Sequence, residues 1–183
     1  MLCTGNICRS PAAEALLRHR TEALGVDVRV KSAGLLDDGR RAAEHSVTLL
    51  AEQGVDLSRH RSATMTADAV RSADLVLGMA REHVREAVVM VPPAFPKSFT
   101  LKELVRRGES IGPRHANEDV ASYLARVHAG RTSRDLLGSS PADDVADPIG
   151  LPRAAYEQMV GELQHLLDRL VRLLWAPRLE RAG

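Results

Sequence analysis

The stretch Cys3-Thr4-Gly5-Asn6-Ile7-Cys8-Arg9-Ser10-Pro11 restricts what this chain can fold into more than any other. Ser10 is a favourable N-cap and Pro11 a favourable first helical residue, so the sequence predicts a helix starting here. Cys3 to Arg9 then form a loop whose backbone N–H groups converge in front of the positive end of that helix. Such a loop is an anion cradle. Gly5 and Asn6 are residue types that accept the left-handed backbone a cradle needs, and the planar fork of Arg9 matches phosphate oxygens. A cysteine stands at the mouth, where the helix end and the guanidinium favour its thiolate form. A nucleophile and an oxyanion cradle at Cys-x5-Arg spacing point to transfer of a phosphoryl group to sulfur.

The string Cys3 to Pro11 resembles the phosphate-binding loop of the bacterial-type low-molecular-weight protein tyrosine phosphatases, and further matches follow in the same order along the chain. The resemblance implies an α/β fold: a three-layer α/β/α sandwich with a short parallel four-stranded sheet and the ligand at the C-terminal ends of the strands. It implies hydrolysis of a phosphomonoester, protein phosphotyrosine first, through a cysteinyl-phosphate intermediate. Cys3 would attack phosphorus while Thr4, Gly5, Asn6, Ile7, Cys8 and Arg9 bind the phosphoryl oxygens. The partners implied are a phosphorylated protein or small phosphomonoester, with inorganic phosphate as product. No metal and no organic cofactor is implied.

Other positions take roles from the same resemblance. Ser32 falls where the family has a serine bonded into the loop, and His60 where a histidine bonds towards the loop asparagine. With Ser10, they are expected to hold Asn6 in a strained backbone conformation. Asp147, in Asp143-Asp144-Val145-Ala146-Asp147-Pro148, matches the general acid: it would protonate the leaving oxygen, then activate water as a carboxylate. Without the resemblance, Ser32 and Asp147-Pro148 also read as turn chemistry and His60 as an ordinary loop histidine.

Three features depart from the family pattern. The loop Leu35 to Arg40, which lines the cleft in the family, carries no aromatic residue, and Ile149-Gly150 stands where many members have aromatics. Both bear on phosphotyrosine, since a flat ring is well held by another ring. Only Met1 and Leu2 precede Cys3, whereas a central strand usually runs about five or six residues. The expectation is a first strand truncated at its N-terminus, with apolar residues encoded upstream of the recorded start. Failing those, the site is expected to be poorly held and the non-catalytic reading gains weight.

Two alternatives stay open: an arsenate reductase on the same fold, and a non-catalytic phosphate-binding or interaction module. The first relays electrons through additional cysteines, and Cys8 is the only other thiol. Cys8 is also a candidate for a transient disulfide with Cys3 under oxidation.

The 183 residues suit one domain over 1–183, with a surface insertion expected at about 108–143. A net charge of +1 with scattered basic residues offers no case for nucleic acid. No apolar run reaches membrane-spanning length and no signal peptide is read, so a cytoplasmic location is expected. Two cysteines exclude a disulfide scaffold, and no zinc spacing is present. Oligomeric state is not legible.

Periodicity and turn residues predict helices over Pro11–Leu24, about 42–53, Thr66–Ala73, Arg81–Met90, Leu101–Arg107 and Pro152–Trp175. A further helix through Val120 and Val127 is expected, capped by Asn117. Strands are predicted at Val26–Lys31, Asp74–Met79 and Lys97–Leu101. A frayed tail is expected from Pro177.

Overall fold

Four short strands make the centre of the molecule: β1 Leu2–Cys3, β2 Ala33–Gly34, β3 Val76–Gly78 and β4 Ser98–Thr100. In the computed structural model, which describes the backbone of residues 1–182 and side chains through 175, they lie in the order β2-β1-β3-β4. All pairings are parallel. Side chains alternate across a strand, and here they feed two cores. Leu2 and Val76 go to one face; Cys3, Leu77 and Phe99 go to the other.

Helices cover both faces. The first core is roofed by α1 (Arg9–Ala23), α2 (Glu44–Ala51), α5 (Leu101–Ile111) and α7 (Arg153–Ala182). The second is closed by α3 (Ala67–Ser72), α4 (Arg81–Met90) and the 3-10 turn Pro92–Lys97. The remaining helix, α6 (Val120–His128), packs beside α5. This is the α/β/α sandwich expected from the sequence. The apolar stripe of α7, from Tyr156 through Leu163, Leu167 and Leu170 to Leu174, is buried along its length. Each such side chain stabilises the fold by about 1.5–3 kcal/mol through burial. At Trp175 the backbone leaves helical geometry (φ −129°, ψ 21°) before resuming to Ala182, so the backbone beyond Pro177 is helical. The side chains of that tail and Gly183 lie outside the described residues.

Several boundaries differ from the sequence reading. The strand expected at Val26–Lys31 is not formed; β2 is Ala33–Gly34 instead. The reason is register: Leu2 and Cys3 are opposite Ala33 and Gly34, and the ladder of β1 reaches no further along β2. Although β1 has only two residues, it is central and pairs on both sides. Ser10 does not cap α1. The helix starts at Arg9 with Cys8 as N-cap, and the Ser10 hydroxyl is turned to Cys3 Sγ instead. The helix expected to end at Arg107, before Gly108, runs on as α5 to Ile111 and stops at Gly112 (φ +86°). Gly108 is a packing glycine: a Cβ there would lie 2.7 Å from the Tyr123 hydroxyl and 2.8 Å from Leu173. Asp119, not Asn117, caps α6 by accepting from Ser122 N–H.

The stretch 108–143 is tied into the core. Tyr123, Leu124 and Val127 are buried against α5. Arg131 pairs with Glu103 at 2.7 Å and lies over the Phe99 ring at 4.0 Å.

Candidate active site

The loop between β1 and α1 sits at the C-terminal edge of the sheet, and Asn6 is its hub. Asn6 is the only non-glycine with positive φ (49°) among the described residues. Its side-chain amide donates to Ser10 Oγ and Ser32 Oγ, each at 2.9 Å, and its oxygen accepts from Ala63 N–H at 2.9 Å. His60 Nε2 lies 2.7 Å from the Asn6 carbonyl oxygen, so a proton on Nε2 completes the set. Ser10, Ser32 and His60 thus all meet Asn6. Gly34 is a glycine because the loop lies against it: a Cβ there would sit 2.9 Å from Asn6 Cβ and from the Thr4 carbonyl. Glu14 belongs to the same group, accepting from Ser32 Oγ at 2.6 Å. The sequence reading missed it; the signal available was its position one helical turn beyond Ser10, on the same face of α1.

Cys3 Sγ accepts from the Asn6 N–H at 3.2 Å and from the Ser10 hydroxyl at 3.0 Å. Both bonds hold the sulfur as an acceptor at the mouth of the loop. The N–H groups of Gly5, Ile7 and Cys8 have no partner among the described residues. Arg9 is buried; it donates to the Val145 carbonyl at 3.2 Å and to Asp147 Oδ2 at 2.5 Å. Its Nε is buried without a partner among the described residues. These unpaired donors are what a tetrahedral oxyanion requires.

Asp147 reaches Arg9 from a loop anchored just before it. Asp143 is clamped by Arg81 and Arg106, and Asp144 caps α4 by accepting from Arg81 N–H at 2.8 Å. Although burial opposes it, the two arginines hold the Asp143 carboxyl below the usual carboxylate range. Val145 N–H donates to the Met79 carbonyl at 2.7 Å. Together Cys3, Arg9 and Asp147 line a cleft of about 110 Å³ with the loop residues Thr4, Gly5, Ile7 and Cys8. Leu36, Arg40 and Ile149 complete its rim.

A further polar group lies under Thr4. Its hydroxyl is 3.0 Å from His83 Nε2, 3.3 Å from Glu82 Oε1 and 3.4 Å from Arg9 Nη2. Burial, helped by the Arg9 charge, pushes His83 down to about 3. Its Nδ1 has no partner among the described residues, so the neutral ring carries its proton on Nε2. Cys8 is buried with Sγ 3.8 Å from the Tyr156 hydroxyl, and burial pushes its thiol up to about 11.

A parallel sheet that ends in a cysteine–arginine anion loop, faced by an aspartate, defines a small phosphatase. Comparison with known proteins agrees. Residues 1–111 match the low molecular weight phosphotyrosine protein phosphatase family. The protein-arginine-phosphatase of Bacillus subtilis is 33% identical over 174 residues, covering 94% of this chain and 93% of the relative. The low molecular weight protein-tyrosine-phosphatase Etp of Escherichia coli is 32% identical over 125 residues, covering 68% of this chain and 82% of that protein. The crystal structure of a low molecular weight protein tyrosine phosphatase from T. tengcongensis superposes with a TM-score of 0.72 at 33% identity, covering 94% of this chain and 96% of that one. The chain belongs to the low molecular weight phosphotyrosine protein phosphatase family, and it is a phosphatase-type hydrolase. Among the described residues, no helix is long and apolar enough to cross a membrane.

Proposed function

We propose that the protein hydrolyses a phosphomonoester on a protein, phosphotyrosine, with Cys3 as nucleophile, Arg9 as phosphate clamp and Asp147 as general acid and base. The observation that carries this reading is the set of unpaired donors around the thiol: three loop N–H groups and Arg9 Nε. A phosphoryl group entering the loop takes these donors and competes for the Arg9 edge held by Asp147. Released from Arg9, the Asp147 carboxylate takes up a proton from solvent and passes it to the leaving oxygen as the Cys3 sulfur bonds to phosphorus and the P–O bond breaks. Asp147, now a carboxylate, removes a proton from the water that attacks the cysteinyl phosphate. Inorganic phosphate departs and the thiolate returns to its bonds from Asn6 and Ser10.

The apolar walls formed by Ile7, Leu36 and Ile149 support an aryl substrate where the family's aromatics are missing. Phosphoarginine, the substrate class in the Bacillus relative's name, is the second reading. The absence of any aromatic side chain from the cleft lining favours it among the described residues. Against arsenate reduction stands the second thiol: Cys8 is buried, pushed up to about 11 and hydrogen-bonded to Tyr156.

The test is kcat/KM for matched phosphotyrosine and phosphoarginine peptides, with Cys3→Ser as control. The proposal expects faster turnover of phosphotyrosine and none by Cys3→Ser. Preference for phosphoarginine would replace the substrate, and wild-type rates from Cys3→Ser would end the mechanism.

A further inference from the structure

Resting on that phosphatase reading, we infer that Arg40 selects substrates with an acidic side chain beside the phosphorylated residue. The backbone of Arg40 is fixed by the buried Ser62. Its N–H donates to Ser62 Oγ at 3.0 Å, and its carbonyl accepts from Ser62 N–H at 2.8 Å. Gly39 N–H donates to the Ser62 carbonyl at 2.8 Å, and Ser62 Oγ donates to the Asp37 carbonyl at 2.7 Å. This loop therefore presents its side chains from a held frame.

The head of Arg40 is spent differently from those of the other arginines around the site. Arg9 and Arg81 each hold a carboxylate. Arg61, bridged to the neighbouring Arg41, gives Nη1 to the carbonyls of Ser58 and His60. Among the described residues, the exposed guanidinium of Arg40 donates to no side chain and no carbonyl. Its Nη1 lies 3.8 Å from where a Cβ on Gly5 would be, which places it over the phosphate loop, and it lines the cleft. Nearby acids are largely committed. Asp147 is on Arg9 and Asp38 is bonded by Thr64, leaving the exposed Asp37. Arg41 and Arg61 stand side by side across an antiparallel bridge and add positive charge to this edge.

A guanidinium with a fixed stem and an uncommitted fork beside an anion loop is a receptor for a second anion. The substrate chain carries the phosphate into the loop, so the second anion is a carboxylate on a neighbouring residue of that chain. An oxyanion at Arg40 also relieves the repulsion between it and the arginine edge.

The experiment measures kcat/KM at low ionic strength for two phosphotyrosine peptides that differ only in Glu or Gln beside the phosphorylated residue. The wild type should favour the Glu peptide by roughly threefold to fivefold, the scale of an exposed charge pair, and added salt should shrink the ratio. Arg40→Ala should bring the ratio to about 1, Arg40→Lys should keep part of it, and Arg40→Glu should invert it. A ratio unchanged in Arg40→Ala overturns the inference. So does an equal loss on both peptides, which is what a purely structural role would produce. The affinities of the same peptides for Cys3→Ser and Cys3→Ser/Arg40→Ala, read by fluorescence anisotropy, separate this inference from the catalytic one. An Arg40-dependent affinity ratio without wild-type turnover sinks the phosphatase reading alone. Turnover with a ratio indifferent to Arg40 sinks the inference alone.

Discussion

Replacing Asn6 by alanine removes the piece that holds the phosphate loop in shape, and its effect can be worked from the contacts. The side chain makes three hydrogen bonds of 2.9 Å, to Ser10, Ser32 and Ala63. At about 0.5–1.5 kcal/mol each they contribute roughly 1.5–4.5 kcal/mol. Alanine at φ 49° adds backbone strain of about 1–2 kcal/mol. A loss of about 2.5–6.5 kcal/mol is expected, against a typical total of about 5–15 kcal/mol. Guanidinium unfolding followed by circular dichroism measures it, with kcat/KM for an aryl phosphate read on the same samples. Asn6→Gly should recover the backbone part, about 1–2 kcal/mol, but not the hydrogen bonds. His60→Ala should lose about 1 kcal/mol, the worth of one bond to the Asn6 carbonyl. If Asn6→Ala stays within about 0.5 kcal/mol of wild type with unchanged kcat/KM, the hub argument is wrong.

Asp147→Asn should lower kcat for a phosphate ester with a poor leaving group by about 10²–10⁴-fold. The loss should be smaller for p-nitrophenyl phosphate, whose leaving group needs little protonation; equal losses for both would refute the acid role. His83 makes stability depend on pH. Unfolded, its imidazole binds a proton below about 6.5; folded, it resists until about 3. Its contribution is therefore complete above 6.5 and falls as pH drops through that window, by at most about 1.4 kcal/mol per pH unit. Unfolding midpoints at pH 7, 6, 5 and 4 should fall less steeply in His83→Gln than in wild type, and parallel curves would count against it.

The legible part of the fold was the part encoded locally. Arg81–Met90 is α4 as read, because Val91-Pro92-Pro93 follows its apolar positions with a stop. The α7 stripe is long enough for its period to be unambiguous. Misreadings arose where a tertiary partner outbid a local rule. Ser10 has the chemistry of an N-cap, but the Cys3 sulfur is a better use of its hydroxyl. Gly108 reads as a helix stop, yet Tyr123 and Leu173, distant in sequence, demand the missing side chain. Val26–Lys31 alternates like a strand, but alternation says nothing of whether a neighbour is in register. In the site, Cys3, Arg9 and Asn6 were legible because loop chemistry is local. The links of Ser62 to Arg40 and of His83 to Thr4 span long separations that spacing cannot reveal.

The central claim is that the phosphoryl group passes through Cys3, and an acid-quenched mass spectrum of Asp147→Asn turning over an aryl phosphate tests it most directly. Slowed hydrolysis of the intermediate should let it accumulate, with the phosphoryl group on the peptide that contains Cys3 and none on the same peptide from Cys3→Ala/Asp147→Asn. A phosphoryl group found on another residue, or an unmodified Cys3 peptide while leaving-group release shows a burst, would contradict the account.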